Sequence, residues 1–146
     1  MLSLFEPSNN RTVSGVSTTC NLPSSECHSS PIFNCYFFNA RSICNKLSDF
    51  EYFLNTSIPS AVGLCETHIT SDMPDQLLCG NNYNIVRKDR KDRNSYGGGV
   101  ALLVNRNYDV NEVVISSQYS NIEIVAADIN VHKTKYRVVV FIDHRN

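Results

Sequence analysis

The sequence predicts an α/β protein, and a strand–helix–strand pattern before residue 66 carries that prediction. Residues 32–38 are a run of strand length rich in β-forming side chains, and residues 61–65 are a second, apolar run of strand length. Between them, over about residues 44–56, four apolar side chains recur at the spacing of one helix face: Leu47, Phe50, Phe53 and Leu54. Ser42 or Asn45 is expected to cap the start of this helix. Two strands joined by a helix form a βαβ unit, in which the strands are parallel and the crossover is right-handed.

Further strands are expected at short intervals after an irregular segment, residues 67–82. Five predicted strands follow it, at residues 83–87, 99–104, 110–115, 122–131 and 136–142. The alternation of side chains over residues 122–127 suggests one strongly buried face on the fourth of these strands.

Length, composition and charge are those of one folded domain. The 146 residues are 42% hydrophobic and 18% charged, a balance typical of folded rather than disordered proteins. No apolar stretch reaches the roughly 18 residues that a membrane-spanning helix needs, so we expect no membrane partner. The net charge of −1 argues against wholesale electrostatic binding to nucleic acid.

The first 30 residues predict a flexible leader, followed by a domain over residues 31–146. The leader contains eleven Ser or Thr residues and few large apolar side chains, so it cannot bury enough apolar surface to offset its ordering entropy. Because it also lacks the basic and apolar regions of a signal peptide, we expect an intracellular, not a secreted, protein. The six cysteines are then expected to be reduced, and Cys20, Cys27 and His28 lack the paired spacing of a zinc site.

Two polar residues follow the two strands of the βαβ unit. Asn39 and Glu66 are both expected at the carboxyl ends of their strands, where ligands bind in open α/β sheets. A carboxylate beside an amide in such a cleft suits Mg²⁺, which prefers oxygen ligands. From spacing alone, however, the favoured interpretation is that Asn39 caps the following turn and that Glu66 is a solvated loop residue.

A basic loop precedes the segment Gly97-Gly98-Gly99. Five cations lie close together in it: Arg87, Lys88, Arg90, Lys91 and Arg93. They could neutralise the phosphates of a nucleic-acid strand, and the glycines would permit close approach of backbone to a ligand. A solvated hairpin loop explains the same residues equally well.

The pair Asp143-His144 at the end of the last expected strand is a weaker candidate for acid–base chemistry. Adjacent residues of an extended chain point to opposite faces, so a structural role is favoured for both.

Four short segments resemble, in order and spacing, the endonuclease domains of non-LTR (LINE-type) retrotransposons. The first is Phe37-Phe38-Asn39-Ala40-Arg41-Ser42-Ile43 with Asn45-Lys46-Leu47, which is similar to the "LNARSI–NKL" motif. The others are similar to the "I-x-E-T-W/H", "GY-x-x-x-RxDR" and "GGGVAL-x-V" motifs and lie at residues 63–68, 82–90 and 97–104. These domains belong to the endonuclease/exonuclease/phosphatase superfamily.

The resemblance implies a fold, a reaction and two site residues. The fold would be a two-sheet α/β sandwich, and the reaction Mg²⁺-dependent hydrolysis of a DNA phosphodiester, with Mn²⁺ as an alternative metal. Glu66 corresponds to the metal-binding glutamate of the family, and Asn39 to the active-site asparagine of the phosphate pocket. DNA would be the partner, and the nucleus the location of a functional protein.

Departures from the family pattern imply an inactive copy. The family's active-site tyrosine is replaced by Asp143 in a gapless alignment, and the later "GDFN" and "SDH" motifs do not occur in the 146 residues. We therefore expect the N-terminal half of the sandwich, truncated before its C-terminal half, with little or no nicking activity. The alternative is a non-catalytic nucleic-acid-binding module that uses the basic loop. Half a sandwich should also expose strand edges and self-associate through them.

Overall fold

The computed structural model describes residues 32–90 and 98–142 and contains a four-stranded sheet, a three-stranded sheet and two α-helices in them. The strands are β1 (Cys35–Asn39), β2 (Ala61–Cys65), β3 (Tyr83–Lys88), β4 (Val100–Asn105), β5 (Asp109–Glu112), β6 (Glu123–Val131) and β7 (Thr134–Ile142). The helices are α1 (Leu47–Ser57) and α2 (Gln76–Cys79), with turns of 3-10 helix at Cys44–Lys46 and Ser117–Tyr119. The protein is thus mixed α/β with two sheets, as the sequence predicts at this coarse level.

The βαβ unit forms one half of the first sheet, whose strand order is β1-β2-β4-β3. Strands β1 and β2 are parallel, with Cys35 opposite Ala61 and Asn39 opposite Cys65, and α1 connects them. Strand β4 is antiparallel to both β2 and β3. Because β1 and β2 are parallel, their carboxyl ends lie side by side at the same edge of the sheet.

Helix α1 covers one face of the first sheet. Phe50 and Leu54 are buried against Val62 and Leu64 of β2, and Leu47 and Phe53 are partly buried beside them. The predicted helix face is therefore confirmed.

The second sheet covers the opposite face of the first, in the order β5-β6-β7. The core between the sheets includes Val100, Leu102 and Val104 of β4 and Val125 and Ala127 of β6. The alternation predicted over residues 122–127 is confirmed for this inner face, on which Glu123 also lies because side chains alternate along a strand.

Three local expectations are wrong. Strand β1 begins at Cys35 rather than at residue 32, because Asn34 is engaged by Ser60 through its side chain (Ser60 N to Asn34 Oδ1, 2.7 Å). Neither Ser42 nor Asn45 caps α1: the chain enters through the 3-10 turn, and no side-chain cap bond is made at either N-terminus. The segment expected to be irregular, residues 67–82, contains α2.

Some expectations lie outside the described residues, namely the leader over residues 1–30 and any role of Asp143 and His144. Within residues 32–90 and 98–142, no helix is long and apolar enough to cross a membrane. Four cysteines of these ranges are free thiols: Cys35, Cys44, Cys65 and Cys79.

Strands β1 and β7 each pair with only one other strand of the described chain. Phe37 on β1 and Phe141 on β7 expose 51% and 58% of their surface. Apolar groups on edge strands favour association, so self-association of the purified chain stays a prediction.

Removing the ring of Phe50 tests the packing of α1 on the first sheet. Phe50 is 1% exposed, and a buried Phe→Ala change costs about 3–5 kcal/mol because it removes apolar contacts and leaves a cavity. We expect Phe50→Ala to lower the free energy of unfolding in urea by that amount. Tyr52→Ala, at a position 69% exposed on the same helix, should change it by no more than about 0.5 kcal/mol. Equal losses in both variants would contradict this packing.

Candidate functional site

The structure brings Asn39 and Glu66 to the same edge of the first sheet. Asn39 is the last residue of β1 and lies opposite Cys65, the last residue of β2, with Glu66 following directly. Neighbouring strands lie about 4.8 Å apart, so the two residues emerge side by side. Their predicted juxtaposition at one sheet edge therefore holds at the level of the backbone.

Backbone hydrogen bonds continue the parallel pairing beyond the ends of both strands. They are Ala40 N to Cys65 O (2.8 Å), Ser42 N to Glu66 O (2.9 Å) and Ile43 N to Thr67 O (3.0 Å). The turn after β1 and the turn after β2 are thereby fixed relative to each other.

Both turns contain residues in the left-handed backbone region. Arg41 and Ser42 have φ of 42° and 71°, and Glu66 and His68 have φ of 51° and 55°. Such conformations cost of order 1–3 kcal/mol each and persist only where the surroundings enforce them, often at functional sites. The two turns are thus held in shapes that the chain would not adopt by itself.

Lys46 holds the turn after β1. Its ammonium nitrogen lies 2.6 Å from Ala40 O, 3.2 Å from Arg41 O and 3.4 Å from Ser42 O. An ammonium group has three N–H donors, which match three converging carbonyls. Lys46 lies in one of the sequence motifs, but no role for it is predicted there. The three carbonyls converge on it only because Arg41 and Ser42 adopt left-handed backbone conformations.

The side chain of Asn39 is oriented by the same turn. Its Oδ1 accepts a hydrogen bond from Arg41 N at 3.1 Å, so the turn-capping role foreseen for Asn39 is confirmed. Since Oδ1 is engaged, the amide NH₂ group is the part of Asn39 left to donate to a ligand.

Glu66 is half-buried, and its carboxylate makes no hydrogen bond or ion pair with any other residue that the structure describes. Burial raises the pKa of the neighbouring Cys65 thiol, and the negative charges of Glu66 and Glu123 raise it further. Two carboxylates therefore lie near Cys65, one from each sheet. Glu123 is not among the site residues predicted from the sequence, although a charged residue on the buried face of a strand is a signal that a partner must lie there.

Gly98 and Gly99 lie directly against the turn that carries Glu66. Gly98 O accepts from His68 N at 3.0 Å, and Gly99 O accepts from Thr67 N at 3.1 Å. Both glycines have positive φ, 98° and 86°. Their conformational freedom is used here for a contact with the protein's own backbone.

The cations of the basic loop that the structure describes are largely engaged internally. Arg87 forms an ion pair with Asp75 (3.0 Å) and donates to Met73 O (2.7 Å), and Lys88 donates to Ile122 O (2.8 Å). Arg90 is partly buried, and its Nε is buried without a hydrogen-bond partner among the described residues. Lys91 and Arg93 lie outside those residues.

Asp89 lies beside the ion pair of Arg87, 3.6 Å from its Nε. Burial raises the pKa of the Asp89 carboxyl, Arg87 lowers it, and the negative charges of Asp75 and Asp72 raise it; the net direction is upward. The Arg87 guanidinium thus lies between two carboxylates, those of Asp75 and Asp89, and its side chain is only 16% exposed.

No protein-family model matches the chain, and no curated protein matches it. In the described ranges, no three His, Cys, Asp or Glu side chains form a group that could hold a metal ion. A magnesium site does not require such a group, because Mg²⁺ is often held by one or two carboxylates together with water and substrate phosphate.

Replacing Lys46 tests its hold on the turn after β1. We expect Lys46→Met to lower the free energy of unfolding by about 1–3 kcal/mol, since three carbonyls lose a charged donor. Lys133→Met, at an exposed position between β6 and β7, controls for the loss of one positive charge. Urea titrations followed by circular dichroism measure both changes, and similar values for the two variants would argue against the role of Lys46.

The pKa of Asp89 predicts a pH dependence of stability. A carboxyl whose pKa is higher in the folded state than in the unfolded state contributes stability at low pH that is lost as pH rises through the folded pKa. Asp89→Asn removes this loss, so its stability relative to wild type should increase from about pH 3 to pH 7. Urea midpoints measured across this range test the trend. The same trend in Asp109→Asn, at an exposed position on β5, would rule out the burial of Asp89 as its cause.

Proposed function

We propose that this chain carries the metal- and phosphate-binding part of a phosphodiesterase site, with DNA as the ligand. The fold would be the N-terminal part of an endonuclease/exonuclease/phosphatase sandwich, of the type found in LINE-type endonucleases. Glu66 would hold Mg²⁺ or Mn²⁺, and Asn39 would bind the phosphate. The observation that carries the proposal is the parallel pairing of β1 and β2, which ends both strands at the same edge.

The residues at this edge suit a hard divalent cation. Glu66 offers a carboxylate with no partner among the described residues, at the end of a buried strand. Carboxylate oxygens are the ligands that Mg²⁺ prefers, and water and substrate phosphate commonly supply the remaining ligands. Bound there, the cation would neutralise charge that develops on the phosphoryl oxygens.

Asn39 has a separate task in this proposal. Its Oδ1 is engaged by Arg41 N, so its NH₂ group would donate to a phosphate oxygen and fix the orientation of the phosphodiester. Asn39 would therefore position the substrate and transfer no proton.

We expect binding without efficient turnover. The family motifs that activate the attacking water, "GDFN" and "SDH", do not occur in the 146 residues. Loss of general acid–base groups costs on the order of 10²–10⁴ in rate.

The alternative, a nucleic-acid-binding module built on the basic loop, has less support. Arg87 and Lys88 are engaged with Asp75, Met73 and Ile122, so these two cations would have to give up contacts within the protein to bind a phosphate.

Binding of Mn²⁺ to the full chain, measured from the free-ion electron paramagnetic resonance signal, tests the metal site. We expect Glu66→Gln to weaken Mn²⁺ binding by at least about tenfold, because it removes the only charged ligand proposed. Glu112→Gln, at an exposed position on β5, should leave the affinity unchanged. Binding that is equal in wild type and Glu66→Gln would overturn the proposal.

Nicking of a supercoiled plasmid with Mg²⁺ tests the expected inactivity in the same proteins. We expect background nicking from all of them. Nicking by the wild type that Glu66→Gln abolishes would contradict the inactivity while supporting the site.

A further inference from the structure

We propose that Glu123 is a positioning residue of the Glu66 site, an inference that rests on the proposed function. Its carboxylate binds the amide of Gly99 and lies close against Gly98, and the carbonyls of these two glycines bind the turn that carries Glu66. Glu123 would therefore set the geometry of the cation ligand without touching the cation.

The contact between Glu123 and the glycines is direct. Gly99 N donates to Glu123 Oε2 at 2.6 Å, the short distance expected of a bond to a charged acceptor. A Cβ on Gly98 would lie 2.8 Å from Oε1 and 3.1 Å from Oε2 of the same carboxylate. The carboxylate thus occupies the space that any side chain at residue 98 would need.

The carbonyls of the two glycines form hydrogen bonds with the turn that contains Glu66. They accept from the amides of Thr67 and His68, the first two residues after Glu66. These bonds fix the end of a turn in which Glu66 itself has φ of 51°. The same turn is held on its other side by Ser42 N, so Glu66 lies between two fixed segments.

Apolar packing does not explain why a carboxylate lies at the position of Glu123. It is the first residue of β6 and lies on the inner face, where Val125 and Ala127 are buried between the sheets. A carboxylate there loses hydration, and this cost must be offset by hydrogen bonds. Lys88 fixes the same end of β6 through Ile122 O, so the second sheet is attached to the first at the site.

Two variants of the full chain separate positioning from other roles. Glu123→Ala removes the acceptor, and Glu123→Gln keeps an acceptor oxygen of similar reach while removing the charge. The readouts are the Mn²⁺ affinity and the hydrogen exchange of the Thr67, His68 and Gly99 amides by nuclear magnetic resonance. Glu112→Gln again controls for lost charge.

For Glu123→Ala we expect Mn²⁺ binding about tenfold weaker, as for other residues that orient a metal ligand. Its exchange should rise at Thr67, His68 and Gly99 more than in α1. Glu123→Gln should bind Mn²⁺ nearly as wild type does.

Two results would overturn the inference. If Glu123→Gln and Glu123→Ala weakened Mn²⁺ binding equally, with no increase in hydrogen exchange at Thr67, His68 and Gly99, the charge of Glu123 would act on the cation directly. Unchanged Mn²⁺ affinity with exchange raised uniformly would mean that Glu123 is only structural.

Failure of the proposed function would be recognised separately, because Glu66→Gln would then leave Mn²⁺ binding unchanged. Local exchange at the Thr67 and His68 amides would still decide whether Glu123 holds the turn.

Discussion

The constraint on which the site depends is the parallel pairing of β1 and β2. Parallel neighbours end at the same sheet edge, so the chain leaves both strands there and must turn twice in a confined space. Buried backbone groups in those turns need hydrogen-bond partners. The two turns supply these partners to each other, because Ser42 N donates to Glu66 O and Ile43 N donates to Thr67 O. This arrangement requires residues of both turns to adopt left-handed backbone conformations.

Two charged side chains complete this arrangement by binding backbone groups. Lys46 binds three carbonyls of the turn after β1, and Glu123 binds the amide of Gly99. Each of these bonds gives a charged group a backbone partner, which offsets part of the hydration that the group loses on burial.

Local sequence patterns correctly predicted those elements whose burial follows directly from the spacing of their own apolar residues. Strand β2 is bounded as expected, because Pro59 and the polar residues after Cys65 delimit a run buried on both faces. The helix face of Phe50 and Leu54 follows from its spacing. The predicted start of β1 was wrong because residues 32–38 are rich in strand-forming side chains, and nothing local indicates that Asn34 is engaged by Ser60, 26 residues away.

In the candidate site too, some residues could be found from local sequence patterns, and others depend on contacts that only the fold creates. Asn39 and Glu66 were found from the positions of strand ends, which local patterns reveal. Glu123 contacts residue 99 across 24 positions, and Cys65 lies against Phe141 O across 76, so these contacts depend on how two sheets stack. The sequence nevertheless carried a signal: a carboxylate in register with buried Val125 and Ala127 must have a partner. That the amide of Gly99 is one such partner could be learned only from the fold.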